Sequence, residues 1–457
     1  MAERNKLVLI GAGSTVFTQR LVADLILSGE ADRWQLALVD IDPVTLKAVD
    51  ALVRKMLAFK NASFPIVATT DRREALPGAD FVVTTIAVGG RRAWEADIQV
   101  PRRHEVFQPV GDSVMPGGIS RAMRMIPQMV AIAEDIARLC PQAHLLNYGN
   151  PMTAICRAIR RKTGVPVVGL CHGVTYVEGL LAGFLGQEQG SISSFGVGLN
   201  HLTFLSDIRC HGADARPLLR AQLEAQRPRL EREIAEKKTW PNGVSGRAIR
   251  VSDDPFAWSI FDQYGVFPVA MDRHITEFFP ERFPGGRYHG RTLGVDAFPI
   301  DARIALGDTW FDDMLAVARS ADPLPASYFE NVPGESEQLV QIMYSLLQDR
   351  KQVFSANLPS QGAVPGMPAE AVMELPAAAC GRGFAPLQCP ALPPALAAKI
   401  LSKLTAVEIT VEAALTGRFD LFVEALLADG TVSDPGRASA LARDLIDTHR
   451  AHLPQFA

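Results

Sequence analysis

The sequence predicts an α/β protein: a doubly wound parallel sheet over residues 1–195, followed by an α+β part over residues 196–457. Three observations predict it. Short apolar runs alternate with helical patterns through the first 200 residues, a glycine-rich turn follows the first run directly, and the alternation stops near residue 195. Strand–helix–strand alternation gives a parallel sheet wrapped by helices. Runs that are apolar at nearly every position suit strands covered on both faces.

The expected strands of the first part are Leu7–Ile10, Leu36–Val39, Phe81–Ile86, Ala143–Leu146 and Val165–Leu170. Between them, Val16–Leu27, Pro43–Lys60 and Ile119–Leu139 carry apolar residues at helical spacing. In the second part, Ser194–Val197 and Leu202–Ile208 read as strands and Arg216–Lys238 as a charged amphipathic helix. Residues 355–396 are rich in Pro, Ala and Gly and read as a long connection with short strands. Helix returns over Pro394–Gly417, Leu421–Leu427 and Arg437–His452. The 457 residues exceed what one core usually serves, so two domains packed on each other are expected.

Composition narrows the function classes. Hydrophobic residues make up 48%, charged residues 21%, and the net charge is −4. Neither nucleic acid nor an anionic membrane is favoured as a partner. No run approaches the roughly 20 apolar residues that span a bilayer, and the start of the chain lacks a signal-peptide pattern. The six cysteines are scattered without zinc-site spacing, as in a cytoplasmic protein with reduced thiols.

The first strand runs into Gly11-Ala12-Gly13-Ser14-Thr15 and then a helix. Gly11 and Gly13 permit a tight turn and close backbone approach to a pyrophosphate, while Ser14 and Thr15 lead to a helix N-terminus with positive dipole. Val16 stands where a third glycine is usual. Asp40 ends the second strand, where a carboxylate accepts from ribose hydroxyls and repels a 2′-phosphate, so NAD is expected over NADP. Together these make the first domain Rossmann-type.

Further on lie Gly111-Asp112-Ser113-Val114-Met115-Pro116-Gly117-Gly118-Ile119 and Asn147-Tyr148-Gly149-Asn150-Pro151-Met152. Gly169-Leu170-Cys171-His172-Gly173 and Gly198-Leu199-Asn200-His201 follow, both at strand ends. A thiolate and an imidazole there could hold one divalent metal; equally, they read as a buried thiol and a core histidine.

These pieces in order, with Gly89-Gly90-Arg91-Arg92-Ala93-Trp94-Glu95-Ala96-Asp97 between them, resemble the family 4 glycoside hydrolases over most of residues 5–210. The resemblance implies a dehydrogenase-like α+β second domain of the lactate/malate dehydrogenase type and a homodimer or homotetramer. It also implies a glycosidase that uses NAD and Mn²⁺ or another divalent metal rather than two carboxylates flanking the bond. In that chemistry NAD⁺ takes hydride from C3 of the sugar, a base removes the C2 proton, and the C1 group is eliminated. Water then adds and C3 is reduced again, with the metal on the C2 and C3 oxygens.

By position, the resemblance makes Cys171 and His201 the metal ligands and puts Asn147 near the cofactor and Asn150 on the sugar hydroxyls. Asp112 is the candidate general acid with His172 its rival, and Tyr264 is the candidate C2 base. Arg273 or His274 faces the substrate. His172 after the cysteine points to α-linked, non-phosphorylated hexosides, and Cys-His-Gly-Val to α-galacturonides. A C6 carboxylate would want arginine, and Arg91, Arg92, Arg121 and Arg273 are available, Arg92 being a named contact. Sulfonated or neutral α-galactosides and α-glucosides are the other sugar readings. A 2-hydroxyacid dehydrogenase and a redox-sensing NAD-binding regulator are the alternatives outside glycosidases. The sequence departs from the family's pattern at Met115, Val372-Met373-Glu374 and Ser360.

Overall fold

The computed structural model describes residues 4–236, 253–332, 336 and 338–456. The first part contributes β1 (Asn5–Ile10), β2 (Trp34–Val39), β3 (Ile66–Thr69), β4 (Phe81–Thr84), β5 (His144–Asn147) and β6 (Val167–Gly169). These pair in parallel in the order β3-β2-β1-β4-β5-β6. That is the order of the doubly wound dinucleotide-binding sheet, and it puts a crevice between β1 and β4 where the winding reverses. The strands are nearly all buried, with helices Thr18–Leu27, Pro43–Phe59, Met115–Leu139 and Met152–Thr163 packed around them. The fold is thus Rossmann-like, as the apolar runs imply.

The second part adds strands to the same sheet. They are β7 (Ile192–Leu199), β8 (Leu202–Cys210), β9 (Ala213–Asp214), β10 (Phe267–Pro268), β13 (Gln352–Pro359), β14 (Val372–Cys380) and β15 (Gly383–Pro386). A separate pair, β11 (Arg287–Tyr288) and β12 (Arg291–Thr292), forms a small hairpin. The large sheet continues β6-β13-β14-β7-β8-β10, all antiparallel. A single register pair, Asn357 with Gly169, joins the two regimes.

Residues 355–396 therefore correct the expectation of a connection. They hold most of β13, all of β14 and β15, and β13 and β14 lie mid-sheet. Ala and Pro hid them: the run Leu375-Pro376-Ala377-Ala378-Ala379 lacks β-branched residues, yet burial selects small side chains there. β3, a half-exposed strand of four residues at the sheet's edge, is absent from the expected strands. The helix expected over Arg216–Lys238 spans Arg216–Ala235, and Lys238 lies outside the described residues.

Buried polar ties hold the C-terminal helices on the first half. Asp97, fully buried on helix Gly90–Arg103, pairs with Arg124 and lies 3.0 Å from His449 Nε2 on helix Pro435–His449. Lys403 donates to Asp429 at 2.8 Å, and Asp429 accepts Met115 N–H at 3.3 Å. Met115 has φ +57°, which explains why glycine would be at home there.

Candidate active site

Two sites sit around the C-terminal ends of the parallel strands. At the first, Gly11 (φ +93°) turns the chain directly after β1. A Cβ there would stand 2.9 Å from Ile86 N. Gly13 N–H donates to Asp40 Oδ2 at 2.7 Å, and a Cβ on Gly13 would stand 2.8 Å from that oxygen. Asp40 Oδ1 accepts Asp42 N–H at 3.0 Å, so the carboxylate is oriented from both sides at the end of β2. Ser14 and Thr15 form the turn before helix Thr18–Leu27, and Ser14 Oγ accepts Phe17 N–H at 3.4 Å. This cradle of small residues, backbone N–H groups and one carboxylate fits a dinucleotide.

The second site gathers residues from three loops and the short helix Asp272–Ile275. Asp112, His201 and His274 each offer one donor atom, and these atoms lie within 4.8 Å of one another. His201 Nδ1 is 3.6 Å from Asp112 Oδ1, and Ser113 Oγ lies 2.7 Å from both. The His201 and His274 rings stand 4.2 Å apart between centroids. Asn150 Nδ2 donates to Asp112 Oδ2 at 3.2 Å, while Asn150 Oδ1 is buried without a hydrogen-bond partner among the described residues. Arg121 Nε donates to Asn150 O at 2.9 Å. One carboxylate and two imidazoles form a donor set suited to a divalent ion such as Mn²⁺.

Local structure explains the convergence. The β7–β8 turn is tight, because a Cβ on Gly198 would stand 2.1 Å from Leu202 O, and His201 takes φ +66°. β10 pairs with β8 through Phe267–Leu205 and Pro268–Phe204, and Val269 N–H donates to Thr203 O. That register carries the short helix Asp272–Ile275, and His274 with it, to the His201 end of β8.

Electrostatics follow from burial and neighbours. Burial pushes the Asp112 carboxyl up, but His201, by hydrogen bond and charge, with His274 and Arg121, outweighs it and holds Asp112 well below the usual carboxylate range. Burial, His201 and the arginines push His274 far below the usual imidazole value, with Asp112 opposing. Burial and Arg303 bring Arg273 down to about 10, with Asp112 and Glu277 opposing. Glu277 accepts Val110 N–H and Gly111 N–H at 2.7 and 2.8 Å, and burial pushes it up to about 8.

Several expected site residues come together here: Asp112, Asn150, His201 and His274 by contact, with Arg273 coupled to Asp112 by charge. A carboxyl held ionised in this arrangement suits a metal ligand or a base.

Others go elsewhere. Tyr264 ends helix Pro255–Tyr264 on the far side of Phe267, whose partner Leu205 is four residues from His201. It lines a cavity of about 530 Å³ with Phe195, Ser206 and Arg216, which contains none of the cluster. Arg92 lies on the solvent face of its helix, 66% exposed, and pairs with Glu95 and Asp308. Asn147 is fully buried, and its amide is used on Thr84 and Gly149, so it shapes the turn leading to Asn150. His172 precedes helix Gly173–Phe184 and packs edge-on against Tyr176. Cys171 follows β6 and is not among the three donor residues whose ligand atoms lie within 4.8 Å of one another.

The residues not foreseen are Glu277, Arg303 and Glu374. The two acids had one signal in common, a lone carboxylate in an apolar run (Ile275–Phe279 and Val372–Pro376).

Comparison with known proteins agrees with this architecture. The family 4 glycosyl hydrolase model matches residues 6–187, and the model of that family's C-terminal domain matches residues 196–432. An α-galactosidase of Rhizobium meliloti (strain 1021) is 28% identical over 99% of this chain and 90% of its own length. An α-galacturonidase of Bacillus subtilis (strain 168) is 28% identical over 96% of both. Among solved structures, a 6-phospho-α-glucosidase from gut microorganisms, in complex with NAD and Mn²⁺, superposes with TM-score 0.80 at 17% identity, covering 98% of this chain and 99% of that one. Cryptosporidium parvum malate dehydrogenase shares the fold with TM-score 0.52 at 13% identity, over 90% of this chain and 99% of that one. With both halves matched across 6–187 and 196–432, the chain belongs to the family 4 glycosyl hydrolases and is a glycosidase.

Proposed function

We propose that this glycosidase acts on α-linked hexosides bearing a carboxylate at C6, α-galacturonides above all, with NAD and Mn²⁺ as its cofactors. The observation that carries the substrate reading is the charge around the cluster. Arg121 and Arg273 are coupled to Asp112, with Arg303 beside Arg273. His201 and His274 share the pocket, and only Asp112 among these groups is held ionised as an anion. Two buried guanidinium groups match a carboxylate and are poorly spent on a neutral sugar. The α-galacturonidase relative supports the same choice.

Gly11, Gly13, Ser14, Thr15 and Asp40 would hold the nucleotide, and its carboxylate partner favours NAD over NADP. Asp112, His201 and His274 would hold the metal, with Cys171 as the further donor that family resemblance supplies. When bound, the two groups supply hydride exchange and Lewis acidity. The chain's own residues bind and orient. Asn150 Oδ1 is a buried acceptor for a sugar hydroxyl, and its amide is fixed by Asp112. A homodimer or homotetramer is part of the same proposal.

The test is kcat/KM on p-nitrophenyl α-galacturonide, α-galactoside and α-glucoside, with NAD⁺, Mn²⁺ and a thiol reductant present. The reading expects the uronide to lead by at least about tenfold, the value of one charge-assisted contact. Equal or better turnover of the neutral sugars would move the assignment to them.

A further inference from the structure

Behind His201 lies a buried acid. Glu374, on β14, is fully buried, and its register partners are Asn357 on β13 and Gly198 on β7. Gly198 has no side chain, so the Glu374 carboxyl reaches past β7 to the β7–β8 turn. Its Oε2 is 3.1 Å from Thr203 Oγ1 and 3.4 Å from Asn200 Nδ2, and its Oε1 accepts from Ser355 Oγ at 3.2 Å.

Those contacts bracket His201 in the chain. Asn200 precedes it and Thr203 follows two residues later. His201 has φ +66°, a left-handed backbone state that residues other than glycine adopt infrequently. Thr203 Oγ1 also lies 2.7 Å from Leu199 O, across the mouth of the same turn. A hydroxyl has one proton. When Thr203 donates it to Leu199, the Oε2 contact is completed by a proton on Glu374. Burial pushes the Glu374 carboxyl up, while the His201 ring and the hydrogen bonds from Thr203, Asn200 and Ser355 oppose it. With contacts to Thr203, Asn200 and Ser355, the carboxyl is a hydrogen-bonding clamp across the β7–β8 turn.

We infer that Glu374 is a positioning residue, which clamps Asn200 and Thr203 and so holds His201 in its left-handed turn, aimed at Asp112 and His274. The inference rests on the reading that His201 binds the metal. Partners that orient a metal ligand typically carry 10- to 100-fold in metal affinity.

The experiment is Mn²⁺ titration of the full chain, followed by the electron paramagnetic resonance signal of free Mn²⁺, with NADH affinity and thermal unfolding measured in parallel. Glu374→Gln keeps shape and the capacity to donate and accept hydrogen bonds, and should bind Mn²⁺ within about twofold of wild type. Glu374→Met keeps volume but loses the clamp, and should weaken Mn²⁺ about 10- to 100-fold while leaving NADH affinity within about twofold. Thr203→Val removes the opposite end and should shift Mn²⁺ in the same direction; it carries the test if Glu374→Met does not fold. Wild-type Mn²⁺ affinity in Glu374→Met, or in Thr203→Val where that variant carries the test, alongside loss of binding in His201→Ala, overturns the positioning role and leaves the metal site standing. Undiminished Mn²⁺ binding in His201→Ala overturns the metal reading itself, and the positioning role with it.

Discussion

The backbone N–H of Gly13 donates to Oδ2 of Asp40 across 2.7 Å, tying the glycine turn after β1 to the end of β2. The two residues meet past the C-terminal ends of the neighbouring strands β1 and β2, so the carboxylate is oriented before any nucleotide arrives. Gly13→Ala would push a methyl to 2.8 Å from both Asp40 Oδ2 and Thr45 Cγ2. The expected outcome is a loss of about 1–3 kcal/mol in urea unfolding, with NADH affinity in a fluorescence titration reduced at least about tenfold. Unchanged affinity would remove this turn from the cofactor site.

Asp112 stands between Asn150 and His201, and its carboxyl is held ionised. Asp112→Asn keeps the shape but removes the charge, and should lower kcat about 10²- to 10⁴-fold with little change in NADH affinity. His172→Asn, altered outside the cluster, should stay within about tenfold of wild type. Steady-state rates of the two variants check the order, and the reverse order would make His172 the reacting group.

Arg273 separates acidic from neutral sugars in this account. Arg273→Met should lower kcat/KM for the α-galacturonide about 10- to 100-fold, the loss of one charge-assisted contact, and change the α-galactoside value much less. A parallel loss on both sugars would show that the guanidinium does not read the carboxylate.

The Asp97–Arg124 pair makes stability pH-dependent. Burial pushes Asp97 up, but Arg124 and His449 outweigh it and hold the carboxyl below its ordinary value. A carboxyl with a depressed folded pKa contributes stability above its unfolded value, near about 3.9, and loses that contribution as pH falls through the folded value. Urea unfolding of wild type should therefore weaken below about pH 4, and Asp97→Asn should flatten that decline. Arg124→Met leaves Asp97 buried without its main partner and should cost about 3–5 kcal/mol at pH 7.

How much of this was legible in the sequence depended on what each residue must do locally. β1, β2 and β4 announce themselves, because a strand covered on both faces needs an unbroken apolar run. Gly11, Gly13 and Asp40 are legible because a tight turn and a ribose acceptor each tolerate few residue types. β13 and β14 were not legible: their small residues meet requirements set by strands far away in sequence, β6 and β7. Tyr264 lies apart from the cluster for a related reason. The register of β10 on β8 decides which of Tyr264 and His274 reaches His201, and local sequence does not carry register. Glu374 is visible only once Gly198 is known to lie between it and Thr203.

The most direct test of the central claim is the rate of p-nitrophenyl α-galacturonide hydrolysis by the full chain, stripped of nucleotide and metal, then given NAD⁺, Mn²⁺ or both under reducing conditions. The account predicts negligible turnover with either alone, full turnover with both, and no accumulation of NADH, because the nucleotide ends each cycle as it began. Full turnover by protein verified free of nucleotide and metal would contradict it.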